Sequence, residues 1–384
     1  MTQFEDIRPF YDQEVPAVLA RLLADDEFVE AMAKLKFGGC YSAFSSLFRP
    51  VVRWFLARQL SSVRTVDQFQ VIVKRYMDEM VESATSGFTV SGLDLLDPEK
   101  PYLFMSNHRD ITLDPAFVNY ALYHNGHETV RIAIGDNLLT KPFVSDLMRI
   151  NKSFIVKRSA KGPRQILAAY KALSGYIRHS IDEDNNPIWI AQREGRAKDG
   201  NDRTEPAIIK MLAMSQDKAN ESFSDYINML HIVPVSISYE LDPCDGAKAR
   251  ELYQTRQSGK YEKGEHEDVA SIALGISGQK GAVHVAFGRP LQGEFNDADS
   301  VAEAIDQQVI TNYKLHPTNY FAYKQLHGEL PALNAERFSI DGNAGLQRRE
   351  QQFQARISAL PEAHREVALG IYANIIHQKQ ALGL

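Results

Sequence analysis

His108 stands two residues ahead of Asp110 and six ahead of Asp114, in the stretch Ser106-Asn107-His108-Arg109-Asp110-Ile111-Thr112-Leu113-Asp114-Pro115. An imidazole held by a carboxylate is a general base, because the carboxylate fixes the ring tautomer and stabilises the imidazolium that forms. Spacing alone lets either aspartate fill that role. A helix cap accounts for Asp114 equally well, since Pro115 follows it and suits the first helical position. Lys157 and Arg158 end the run Lys152-Ser153-Phe154-Ile155-Val156, and Glu194, Gly195, Arg196 and Lys198 form a charged turn after Ile190-Ala191-Gln192. Clustered cations of this kind bind phosphate, arginine by a bidentate fork. Taken singly, they are also what a solvated strand end or an ordinary glycine turn carries.

The elements that must position these groups alternate. Tyr102–Met105 reads as a short buried strand and Ala116–Tyr123 as a helix, so His108 falls on a strand-to-helix turn. Further strands are expected at Phe88–Ser91, Val130–Ile134, Ser153–Val156, Ile188–Gln192, His231–Tyr239 and Ala282–Phe287, with helices such as Pro163–Ile181 between them. In that helix Ile166, Leu167, Tyr170, Leu173, Tyr176 and Ile177 share one side. Pro234 near the start of its strand suits a sheet edge. The pattern predicts an α/β fold, a mixed and mostly parallel sheet flanked by helices, with helical N- and C-terminal extensions. Three regions follow: a helical one over residues 1–86, the α/β domain over 88–291 and a helical one over 292–384. Thr65 with Gln68 marks a capping box in the first region. In the last, Val301–Tyr313 and the polar Gln347–Gln380 stretch read as helix, with Gly342-Asn343-Ala344-Gly345 as a loop.

Composition narrows the partners. The 384 residues are 44% hydrophobic and 24% charged, with a net charge of −6, which suits a chain with a real core and argues against nucleic acid. Basic zones are local: Ala31–Val66 carries no acid, and Lys141, Arg149, Lys152, Lys157, Arg158, Lys161 and Arg164 have only Asp146 among them. Such zones attract phosphates or an anionic membrane surface. Cys40 and Cys244 give neither a metal spacing nor a disulfide framework, which fits a reducing cytoplasm. No signal peptide or apolar run of about 18 residues is present, so the chain is read as soluble or lying on a membrane. The Phe44–Leu60 segment mixes aromatics with arginine, and reads either as a helix lying in a bilayer interface or as one packed on the core with arginine outward. A kinase reading of His108-Arg109-Asp110 fails, because Pro115 occupies the required asparagine position. No Gly-x-Ser-x-Gly elbow and no Gly-Lys-Ser/Thr phosphate loop occurs.

Taken in order, the His108 turn, the Phe154-Ile155-Val156-Lys157-Arg158 strand end, the Glu194-Gly195-Arg196 turn and Val233-Pro234-Val235 resemble the four blocks of the glycerolipid acyltransferase superfamily. Val90-Ser91-Gly92-Leu93-Asp94 and Val283–Leu291 look like its flanking strands, so the resemblance covers residues 88–291. Two departures stand out. Five residues rather than four separate His108 from Asp114, and the third block lacks its proline and is one residue short. The resemblance implies acyl transfer from acyl-CoA or acyl-carrier protein to a hydroxyl of glycerol 3-phosphate or 1-acylglycerol 3-phosphate, with no metal or other cofactor. His108 would be the base. Asp114 is favoured over Asp110, since Leu113-Asp114 matches the family's apolar-Asp pair. Lys157, Arg158 and Arg196 or Lys198 would clamp the phosphate, and Glu194, beside Gly195, would bind acceptor hydroxyls or orient Arg158. Backbone N–H groups at the following helix start would serve the oxyanion. The protein would sit in the cytoplasm, peripheral on the inner face of the cell membrane through the Phe44–Leu60 helix. Alternatives are another lysolipid, a glycolipid or an amine as acceptor, or a non-catalytic membrane-bound binding protein of the same fold. A thioesterase would leave the cations without a purpose.

Overall fold

The computed structural model describes residues 4–37, 45–264, 267–333 and 343–384. Among the described residues, seven strands occur in chain order: β1 (Gly87–Ser91), β2 (Leu103–Ser106), β3 (Arg131–Gly135), β4 (Ser153–Val156), β5 (Ile188–Ala191), β6 (Ile232–Tyr239) and β7 (Ala282–Phe287). Each lies within about one residue of a strand expected from the apolar runs, since bounds between such runs and their turns are soft by that much. The chain divides into two compact units, one made of Asp78–Thr129 and Ile177–Leu384, the other of Met1–Met77 and Val130–Tyr176.

The first unit holds β1, β7, β6, β2 and β5, neighbours in that order. Its pairs are parallel except for antiparallel β6–β7. All eight residues of β6 and all four of β2 are buried, as expected of strands covered on both faces. Pro234 therefore lies in a central strand and not at an edge. It is tolerated because it faces Gly288, just past the last β6–β7 pair at Val235↔Phe287, so a ladder bond is lost only at its end. A separate apolar cluster joins Phe321, Phe353, Ile357 and Tyr372, from helices Pro317–His327, Ala344–Ser358 and Glu362–Ala381. The Gln347–Gln380 stretch is thus two helices, the second capped by Pro361. Asn343 caps the first, and Ala344 and Gly345 are already helical, while Gly342 lies outside the described residues.

The second unit packs helices Val15–Ala24, Asp26–Phe37, Ser45–Leu60 and Pro142–Ile150 around Val18, Leu22, Val29, Val52, Leu56 and Ile150. Parallel β3 and β4 pair from Ile132↔Ser153 to Gly135↔Val156. Pro50 sits inside the Ser45–Leu60 helix. Val52, Leu56 and Leu60 face the core, whereas Val51, Trp54 and Phe55 are exposed; Phe44 lies outside the described residues. The start of helix Pro163–Asp182 departs from its amphipathic reading: Leu173 and Tyr176 are buried, but Ile166, Leu167 and Tyr170 are exposed. No helix among the described residues is long and apolar enough to cross a membrane.

Candidate active site

β2 ends at Ser106, and the chain turns through His108 into helix Leu113–His124. The turn sits at the carboxyl end of a parallel strand, where α/β sheets leave a crevice. Asn107 ties it to β6: its amide donates to the Ile237 carbonyl at 3.0 Å and accepts from the Ile237 N–H at 2.8 Å. It also donates to Asp202 at 3.0 Å. Trp189 of β5 donates to the Ser106 hydroxyl at 3.0 Å, and its ring meets the His108 ring edge-on at 5.8 Å.

His108 Nδ1 lies 2.8 Å from Asp114 Oδ2. The imidazole is 14% exposed, so it reaches solvent, while Asp114 is fully buried. Asp114 Oδ2 also accepts the N–H groups of Arg109 at 2.6 Å and Asp110 at 2.9 Å. Its other oxygen accepts the Tyr239 hydroxyl at 2.7 Å. Asp114 is not the helix cap; the helix starts at Leu113 after Thr112, and the carboxylate turns back over the preceding loop. Asp110 does the local capping instead, accepting from Thr112 N–H at 2.9 Å and Leu113 N–H at 2.8 Å. Burial, and then the charge of Asp114, raise the Asp110 carboxyl above the ordinary range. A side chain at Gly275 would start 2.3 Å from the Asp110 carboxylate, so helix Glu267–Ser277 packs directly on this turn. The N–H groups of Arg109, Asp110, Thr112 and Leu113 are therefore spent on carboxylates. The expectation that N–H groups at this helix start serve an oxyanion is corrected for those four.

Beneath the turn is a buried charged layer. Arg109 pairs with Asp202 at 2.6 Å and donates to Gly200 O at 3.2 Å. Burial opposes its charge, but Asp202 together with Tyr313 and Asp242 outweighs it and holds the guanidinium ionised. Lys248, buried, donates to the Arg109 carbonyl at 2.7 Å and pairs with Asp242. Burial would raise the Asp242 carboxyl, and Lys248, the Cys244 N–H and Arg109 together more than reverse this.

The Glu194–Lys198 turn is bonded to the His108 backbone, since Ala197 N–H donates to His108 O at 2.8 Å. Gly195 makes this turn with φ +73°, a conformation that favours glycine. Arg196 lies 3.9 Å from Asp268 and Lys198 pairs with Glu251. Burial pulls the Lys198 ammonium below its usual range despite Glu251, and Arg196 and Lys263 add repulsion. Three cations thus share one neighbourhood, which an anion would relieve. Glu194 is exposed, its N–H 3.3 Å from Glu205. Lys157 and Arg158 belong to the other compact unit. Lys157 pairs with Asp6, and the Arg158 N–H donates to Asp136 at 3.0 Å. No group of three or more metal-ligating side chains occurs among the described residues.

Sequence reading missed Tyr239, Asp202, Asp242 and Lys248. The one signal for Tyr239 was its place at the end of the apolar β6 run. Asp202 and Lys248 are polar residues in polar stretches, and nothing local marks them as buried.

Residues 87–238 match the acyltransferase family model. Human dihydroxyacetone phosphate acyltransferase is 24% identical over 264 residues, which cover 62% of this chain and 37% of that protein. The matched region therefore spans under half the length of that relative. The crystal structure of the 1-acyl-sn-glycerophosphate (LPA) acyltransferase PlsC from Thermotoga maritima aligns with a TM-score of 0.37 and 13% identity, over 77% of this chain and 94% of that one.

Proposed function

Residues 87–238 are an acyltransferase domain of the glycerolipid acyltransferase superfamily, and from that premise we propose that the chain moves a fatty acyl group from acyl-CoA or acyl-carrier protein to a hydroxyl of a phosphorylated glycerol-type acceptor, with His108 as general base. Glycerol 3-phosphate and 1-acylglycerol 3-phosphate are the acceptors that the motif order suggests. Dihydroxyacetone phosphate, from which the human relative takes its name, has the same hydroxyl-and-phosphate chemistry. The observation that carries the reading is the pairing of a solvent-reachable imidazole with a buried carboxylate, on a turn bonded to the Arg196–Lys198 segment.

In the proposed reaction Asp114 holds Nδ1 and leaves Nε2 for the acceptor. As the alcohol oxygen attacks the thioester carbonyl carbon, Nε2 takes its proton. The C–S bond of the tetrahedral intermediate then breaks, and the imidazolium returns the proton to the thiolate, giving ester and free thiol. Arg196 and Lys198 meet the acceptor phosphate, which displaces Asp268 and Glu251 as their partners. Lys157, Arg158 and Glu194 are proposed as substrate-binding residues on motif order. No metal or further cofactor has a role in this chemistry.

Membrane association is part of the proposal. Val51, Trp54 and Phe55 are exposed on a helix with Arg58, and Trp54 lies against the Arg58 guanidinium at 5.8 Å. Ile166, Leu167 and Tyr170 are exposed in a stretch from Leu147 to Ile181 that contains no acid. An apolar surface rimmed by cations suits an anionic bilayer, where acyl-chain products collect.

The test is incubation of the purified chain with palmitoyl-CoA or palmitoyl-acyl-carrier protein and each of the three acceptors, read by mass spectrometry of the lipid product. Acylated acceptor supports the reading. Free palmitate at the same rate with and without acceptor identifies a thioesterase, and no turnover with any pair leaves a binding protein.

A further inference from the structure

Asp114 is fully buried and its two oxygens are unequally occupied. Oδ2 accepts three donors: His108 Nδ1, Arg109 N–H and Asp110 N–H. Oδ1 accepts the Tyr239 hydroxyl at 2.7 Å, its one hydrogen-bond donor among the described residues. Tyr239 is 7% exposed and 125 residues away in sequence, brought in by the pairing of β6 with β2. Its ring is held against Phe117 of the helix that follows the His108 turn, centroids 5.8 Å apart at 61°. Burial, and then Asp114 and Asp110, push the phenol well above its ordinary range, so it remains a donor.

We propose that Tyr239 is a positioning residue for acyl transfer: its hydroxyl pins Asp114 Oδ1 and so sets the rotation and charge of the carboxylate that holds His108. The inference rests on the His108–Asp114 reading above. A carboxylate turns about its last single bond with little resistance. The phenol on Oδ1 restrains that angle from the opposite side of the carboxylate to the three donors on Oδ2. Phenol donation also draws charge toward Oδ1, so His108 faces a less basic carboxylate and gives up its proton more readily.

The experiment follows His108 directly in the full-length chain by NMR of labelled histidine, with His108→Ala to assign the resonance. In Tyr239→Phe the midpoint of the His108 titration is expected to rise by about 0.5–1 pH unit. Acyl transfer from palmitoyl-CoA is expected to fall about three- to tenfold near pH 6 and less at higher pH. A phenylalanine lost only to packing would lower thermal stability and leave the midpoint in place. Incorporation of 3-fluorotyrosine at position 239, nearly isosteric and a stronger donor, moves the midpoint the other way and serves if Tyr239→Phe does not fold. A midpoint unmoved in the folded variants overturns the inference. His108→Ala retaining full acyl transfer removes the base instead, a failure that the NMR readout separates from that of the tyrosine contact.

Discussion

Arg109 and Asp202 are 7% and 0% exposed and meet at 2.6 Å, whereas Lys157 and Asp6 are 42% and 62% exposed at the end of β4. Both are cation–carboxylate pairs, yet they stand under different physics. Water cannot replace a lost partner in the first, so each member is obligatory and the layer holds the His108 turn in one geometry. In the second, water and salt compete with the carboxylate, so the pair contributes little to stability and its cation can be handed to another anion. Arg196 and Lys198 fall between these limits: largely shielded, but paired with carboxylates near the surface. A buried layer that sets geometry, beside cations whose partners can be exchanged, is the arrangement that the proposed acyl transfer to a phosphorylated alcohol would use.

The largest effects break that comparison at its buried end. His108→Ala is expected to lower kcat by about 10³–10⁴-fold, and Asp114→Asn by a comparable factor through loss of the correct tautomer. Asp110→Asn should keep most of kcat while losing about 1–3 kcal/mol of stability, because Asp110 caps a helix and does not touch the ring. Equal kcat losses in the two aspartate variants would erase the distinction between them.

Unfolding in urea separates the two kinds of pair. Arg109→Met leaves Asp202 buried without its cation and should cost about 3–5 kcal/mol. Lys157→Met should cost no more than about 1 kcal/mol. Similar losses would mean that burial does not divide the two regions.

Acid sharpens the contrast. His284 and His316 are buried among hydroxyl groups, with Thr89 Oγ1 2.8 Å and Ser91 Oγ 3.0 Å from His284 and Ser238 Oγ 3.2 Å from His316. Burial presses both rings down to about 4, Lys314 adding to it for each and Glu240 opposing it at His316. The unfolded chain takes these protons near pH ~6.5, before the folded one does. Stability is therefore full above that value, lost as pH falls toward about 4, and flat below for these groups, by about 3 kcal/mol for each ring. Replacing either histidine with a neutral isostere should remove its share of the slope in a chemical-denaturation series across this range.

At the exchangeable end the effects are smaller and fall on binding. Arg196→Ala or Arg158→Ala should raise KM for the phosphorylated acceptor about tenfold while kcat changes less. Added salt should reproduce part of this rise in the unmodified protein. The smallest expected change is at the bilayer: Trp54→Ala should weaken sedimentation with phosphatidylglycerol vesicles about threefold. A Trp54 variant that sediments unchanged would assign that helix no membrane role.

All seven strands were legible because short apolar runs between turn residues leave few other structures open to them. The mixed, mostly parallel order follows from strands alternating with helices. Local periodicity misled where packing decides. Ile166, Leu167 and Tyr170 have helical spacing but no core beneath them, and Pro234 suits an edge by its chemistry yet lies in a central strand. Spacing could not choose between Asp110 and Asp114, because the path of the turn, and not the sequence separation, decides which carboxylate meets the ring.

The order of types along the chain placed His108 on a turn after a buried strand and put candidate cations in two later segments. Strand periodicity and turn chemistry act over a few residues and can be read there. The layer around the turn comes from Asp202, Tyr239 and Lys248, each more than 90 residues from the turn residue it holds, with Asp242 as the partner of Lys248. Burial alone makes those contacts obligatory, and burial is a property of the packed chain: only the pairing of β2 with β6 brings the Tyr239 hydroxyl to Asp114.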